Sequence, residues 1–230
     1  MTASSWYTSG QLVGYKSLPD GLETALDWIE NFVAKEHPQL GREGKICPFV
    51  PGALANSTLY FRSFPDAKGA DDVNEAATMA LEDFPNLPPN QHPEVQFKSL
   101  IMVFPAISAA AAPEAIDGVQ RKRKLEFVEA GLMIGQFHER NLTPAAHNPQ
   151  FYPLRSPVPM MAVRIMVPTD VPFLTQAEYS RAERAAYMKA YIRVMRTWPA
   201  SGAKEKGFQS LVDVLYDLLG EIDELDQAGR

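Results

Sequence analysis

Two histidines, an Asn-Pro step, five prolines and two arginines crowd residues 135–159, GQFHERNLTPAAHNPQFYPLRSPVP. His138 follows Phe137 at the end of an apolar run, so a strand would fix its backbone while the imidazole points into a neighbouring space. There it can ligate iron or zinc, shuttle a proton, or hydrogen-bond a loop carbonyl. His147 precedes Asn148-Pro149 and can give a second metal contact or pin the loop. No third ligand stands at recognisable spacing, which argues against a closed zinc site.

Two further groups carry candidate chemistry. Cys47-Pro48-Phe49 holds the single cysteine, readable as a thiolate nucleophile, a haem ligand or a small buried hydrophobe. Arg42 and Lys45 would lower its pKa if they face it, and burial would raise it. Arg155 lies in YPLRSPVP, and Arg164 sits inside the apolar run MMAVRIMV, where an unpaired charge is costly. Arg164 must therefore point outward or meet an anion. A carboxylate, a phosphate or a haem propionate would each serve in bidentate geometry, and Asp170 is the internal alternative.

These residues need elements to position them. Leu22, Ala25, Leu26, Ile29, Phe32 and Val33 recur at helical spacing, and residues 41–57 read as a Gly/Pro loop. Residues 59–64 read as a strand, 71–83 as a helix opened by an Asp cap, and 99–104 as a core strand. A helix from Pro113 to about residue 128 and strands over 131–137 and 160–167 complete the core. The order implies an α+β domain around a mainly antiparallel sheet flanked by helices. Residues 187–198 and 208–225 carry apolar helical faces, expected to form a carboxyl-terminal hairpin on the core (19–174 core, 175–230 hairpin, one domain over 1–230) or a dimerising pair. The loop 138–159 is far longer than the usual ~4 to 6 residue connection, which marks it as functional.

Composition removes several function classes. Of 230 residues, 46% are hydrophobic and 22% charged, with a net charge of −6, so no field gathers phosphate backbones and nucleic acid is not expected. The basic run Arg121-Lys122-Arg123-Lys124 reads as a solvated helix face. One cysteine fits a reducing compartment. The amino terminus lacks a leader pattern and no apolar run approaches a membrane span, so the expectation is a cytoplasmic protein. No phosphate-binding glycine loop, nucleophile elbow, paired-cysteine site or His-Glu-x-x-His occurs.

GREGKICPFVPGAL, the 135–159 stretch and MAVRIMVPTDVPFL together resemble a bacterial and fungal domain family of uncharacterised function. That family is distantly similar to haem-dependent N-hydroxylases of guanidino or amino groups, although Glu139 stands where those enzymes have proline. The resemblance implies haem iron held by His138, with Cys47, Phe49, Arg155 and Arg164 beside the cofactor. It also implies His147, Asn148 and Arg42 toward a small-molecule substrate, with an external electron donor. The resulting expectation is a haem monooxygenase acting on an amine or guanidine nitrogen. The alternatives are a non-catalytic haem or small-ligand binding protein, and a homodimeric interaction protein.

Overall fold

The structure, a computed structural model, describes residues 5–14, 18–199, 206–213 and 215–216. Five strands form one open sheet: β1 (Tyr7–Thr8), β2 (Leu59–Ser63), β3 (Ser99–Val103), β4 (Leu132–Phe137) and β5 (Met160–Ile165), in spatial order β1-β2-β3-β5-β4. β1 pairs β2 and β3 pairs β5 antiparallel, while β2 and β3 run parallel. The fold is therefore α+β with a mainly antiparallel sheet, as the element order implies.

Strand alternation sorts the core onto two faces. Leu59, Phe61, Ile101, Val103 and Met160 join Leu22, Ala25, Leu26, Ile29 and Val33 in one buried cluster. The latter five belong to α2 (Leu22–Trp28) and the π-helical turn Ile29–Val33 that prolongs it. Leu100, Met102, Met161 and Val163, at the intervening positions, are buried on the opposite face. That face meets the helices that follow β2 and β3. Gln120 Nε2 donates to the Ile134 carbonyl at 3.0 Å, and Arg123 Nη1 donates to Asn74 Oδ1 at 3.0 Å. These bonds tie α5 (Gly118–Glu129) to β4 and to α4 (Ala70–Asp83).

Three local readings need correction. Strand β1 and helix α1 (Ser9–Val13) precede the first element legible as a pattern, because a two-residue strand and a five-residue helix show no periodicity. Residues Val50–Ala55 form α3, although their Pro and Gly suggest a loop; Pro51 falls in the first turn, where a missing N–H costs nothing. Helix α4 is capped by Gly69, not by an aspartate: Asp72 Oδ2 reaches back to accept from Lys68 N at 2.7 Å and Gly69 N at 3.2 Å.

The chain divides into two compact units, residues 1–124 with 133–165, and residues 125–132 with 166–230. The division falls at 165/166 and assigns 125–132 to the second unit, whereas the sequence placed the end of the core at 174. Within the second unit lie α6 (Val171–Leu174) and α7 (Arg181–Met195), the latter capped by Ser180 with Glu183 reciprocally. Gln209 Nε2 donates to the Arg196 carbonyl at 2.6 Å, so residues 206–213, which are helical, return along the end of α7. The remainder of the expected hairpin helix, residues 217–225, lies outside the described residues.

Tyr191 of α7 donates its hydroxyl to the Pro168 carbonyl at 2.7 Å. Burial, with the Asp170 charge adding to it, pushes the phenol up to about 12. Tyr191→Phe is expected to cost about 1 kcal/mol by denaturant unfolding at pH 7. A raised folded pKa contributes stability that is complete below pH ~10 and lost as pH rises through about 12. The wild-type advantage over the variant should shrink across that window, and a constant gap would refute the assignment.

Candidate functional site

His138 leaves the end of β4 on the sheet face opposite Phe137. Phe137 packs against the α2 cluster, and the His138 ring turns the other way, to Asp117. Its Nε2 lies 2.9 Å from Asp117 Oδ1, with the His138 side chain 0% exposed and the Asp117 side chain 39% exposed. With the carboxylate accepting, Nε2 carries a proton, and in the neutral imidazole Nδ1 then presents a lone pair. Nδ1 is buried and has no hydrogen-bond partner among the described residues.

Asp117 reaches the histidine through a local irregularity. Pro113–Asp117 form a π-helical turn directly before α5, and the extra residue per turn rotates Asp117 relative to a regular helix. Such turns recur at functional sites. The peptide after His138 is equally fixed: Asn141 N donates to the His138 carbonyl at 3.0 Å, and Arg155 Nε donates to the Asn141 carbonyl at 3.0 Å.

Loops gather where this pair sits. Met166 N donates to the Gly131 carbonyl, and Gly135 faces the Ala162 carbonyl. Advancing along β4 thus means retreating along β5, so β4 runs in the direction of β2 and β3. The carboxyl ends of all three strands share one edge, the position where open α/β sheets place ligands. The segment before α2 closes on the same edge: Ser63 Oγ donates to the Asp20 carbonyl at 2.7 Å, and Gly21, at φ 79°, abuts Val103, Pro105 and Val158.

Apart from Arg155, the other candidates lie elsewhere. Cys47 and Phe137 pack with the α2 cluster, on the face opposite His138. Arg164 shares its strand parity with Met160 and Ala162 of that cluster; its guanidinium carbon lies 5.9 Å from the Phe49 ring centre, and Nη1 donates to the Ile165 carbonyl at 2.9 Å. Arg42 folds onto its own loop, donating to the carbonyls of Glu43, Lys45 and Ile46 at 2.9–3.2 Å. Asn148 Nδ2 donates to the Gln39 carbonyl at 2.8 Å, Phe151 stacks on His37 at 4.4 Å, and His147 is exposed. Arg155 stacks on Tyr152 at 4.2 Å. Asp170, in the second unit, accepts from Val167 N at 2.8 Å.

Of the expected cofactor contacts, Arg155 is tied through the Asn141 main chain to the turn that follows His138. The His138 ring is wholly covered. Cys47, Phe49 and Arg164 are separated from it by the thickness of the sheet. Among the described residues, no three or more His, Cys, Asp or Glu side chains are grouped to hold a metal ion. No described helix is long and apolar enough to cross a membrane.

Two polar residues with unusual surroundings escaped the sequence reading along with Asp117. Lys98, 0% exposed, donates to Phe84 O at 2.8 Å, Leu87 O at 2.6 Å and Asn90 Oδ1 at 2.6 Å, beneath the Phe84 ring at 4.2 Å. Its only sequence signal is a lysine abutting the core strand SLIMV. Arg62 sits in LYFRS as Arg164 sits in MMAVRI, and the same logic of a charge inside an apolar strand would have found it.

The chain belongs to the DUF6875 family, described as a domain of unknown function, whose model matches residues 22–204. No curated protein and no solved structure matches it.

Proposed function

We propose that this DUF6875 protein binds and transforms a small metabolite at the carboxyl edge of its sheet. The His138 Nδ1 lone pair receives a proton from the substrate, and Asp117 holds the ring. One observation carries the reading: a wholly buried histidine with Nε2 engaged by a carboxylate and Nδ1 unpaired among the described residues. Leaving a buried acceptor unsatisfied costs about 1–3 kcal/mol, a cost that structural histidines avoid and working ones carry. Asp117 selects the tautomer and stabilises the imidazolium that forms, and its half-exposed carboxylate gives the proton a route to water. Because the ring is covered, the substrate reaches Nδ1 only when covering residues move.

A haem-dependent N-oxygenase, the activity that the resemblance implies, would use the same atom. Ligating histidines commonly donate their second nitrogen to a carboxylate, the bond Asp117 makes. Haem iron would supply the activation of dioxygen. Of the expected haem contacts, Cys47, Phe49 and Arg164 lie on the opposite face, so the acid–base reading has the stronger geometric support.

Three measurements test these readings. Long-range nitrogen–proton NMR should show His138 protonated at Nε2 and bare at Nδ1. His138→Leu should fold with stability within about 1 kcal/mol of the wild type, or above it, because it removes an unsatisfied group; a loss of 3 kcal/mol or more would make the histidine structural and end the proposal. An ultraviolet-visible spectrum after expression with haem precursor separates the chemistries: a Soret band abolished by His138→Ala selects the haem reading, and a colourless protein selects proton transfer.

A further inference from the structure

On the same sheet face as His138, with two strands between them, β2 carries an arginine that has no ion-pair partner among the described residues. Arg62 makes no hydrogen bond and no ion pair among the described residues, and its Nε is buried and unsatisfied. Burial lowers the guanidinium from its ordinary value, and the charge of Asp83 offsets part of that. Asp83 does not pair with it: its Oδ2 accepts instead from the Trp6 indole at 2.7 Å. Trp6 precedes Tyr7, whose register partner is Phe61, so the indole stands across the ladder from Arg62.

The guanidinium lies over the Phe64 ring, its central carbon 5.2 Å from the ring centre. Phe64 is itself stacked on buried Phe104 at 5.4 Å. Stacking occupies the flat face of the guanidinium and burial covers Nε, which leaves the Nη1 and Nη2 end for a ligand. An arginine held over one ring, partly withdrawn from water and given no ion-pair partner among the described residues, matches a planar bidentate acceptor. The nearby Asp83 charge opposes a dianion more than a monoanion, so a carboxylate suits the site better than a phosphate.

We infer that Arg62 anchors the carboxylate of a small organic acid, in a subsite walled by Phe64 and Trp6 at the end of β2. The subsite does not depend on His138, since β3 and β5 lie between the two strands, roughly 14 Å at ~4.8 Å per strand.

The probe is sodium propionate, with sodium chloride at equal ionic strength as reference, followed on the arginine Nε–H resonances of labelled protein. Propionate should move one Nε–H signal saturably and chloride should not, with inorganic phosphate binding several-fold more weakly. That signal should be missing in Arg62→Gln, and Arg62→Lys should bind propionate about tenfold more weakly, the loss of one charge-assisted bond. No saturable shift in the wild type, or an unchanged response in Arg62→Gln, overturns the subsite. The wild-type titration decides alone if the glutamine variant does not fold. An unaltered titration in His138→Leu keeps this result separate from that of the proton-transfer reading.

Discussion

Lys98→Met lowers the stability of the fold by about 3 kcal/mol in urea unfolding at pH 7. The Lys98 ammonium satisfies three acceptors at once, two of them main-chain carbonyls of residues 84–87 and the third the Asn90 side chain. Methionine fills a similar volume and supplies no donor, so those acceptors lose their partners in a site closed to water. Each buried unsatisfied acceptor costs about 1–3 kcal/mol, and relief of the buried charge returns part of it. The pH dependence carries the same signature. Burial pulls the amine from 10.5 to about 8, so between those values the unfolded chain holds a proton that the native chain has released. Wild-type stability then rises with pH across that window, and the increment vanishes in Lys98→Met. A loss below 1 kcal/mol would show that water replaces the ammonium.

Gly41→Ala is the second large effect, about 3 kcal/mol. Gly41 holds φ 77°, and an added Cβ would overlap the backbone carbonyl of His147. The left-handed conformation alone costs alanine about 1–2 kcal/mol, and the overlap cannot be relieved by turning a side chain. Relief requires moving the 145–151 segment, which Asn148 pins to Gln39 and Phe151 pins to His37. The variant should therefore lose amide protection at Ala145 and Phe151, whose main chains bond each other at 2.7 Å, as well as global stability. Hydrogen exchange that leaves both amides protected would locate the damage elsewhere.

Gly41 and His147 also explain the long loop. Its prolines and aromatic residues predict order, and the structure shows how: Leu40, Ala145 and Phe151 form a small core of their own, with Phe32 and Ile46 packed against it. His147 and Asn148, candidates for ligand contact by residue type, serve this anchoring by position. Asn148 spends its amide on Gln39, and the His147 backbone seats Gly41.

The strands after β1, the helices α2, α4, α5 and α7, and the α+β class were legible because each carries a local signal: a helical period, an apolar run, or a cap or proline at its end. The short elements β1, α1 and α3 were not, since two to six residues leave no period to read. Arg62 and Arg164 present the same local pattern, an arginine inside an apolar strand. Arg164 bonds the adjacent Ile165 carbonyl, whereas Arg62 has no hydrogen-bond or ionic partner among the described residues, a difference decided by which helix and which rings each strand face meets.

His138 was identifiable from the sequence by itself, because an apolar run ending in a histidine places that histidine at a strand end whatever the fold. Its partner belongs to the tertiary structure. Asp117 stands 21 residues earlier, and a π-helical turn, a one-residue change in helical phase that residue types do not announce, aims it at the ring. The sequence determined which side chains have the chemistry. Packing across the two sheet faces decided which of them meet, because β alternation sends neighbours such as Phe137 and His138 to opposite sides, and only the strand order and the helices above each face say what waits there.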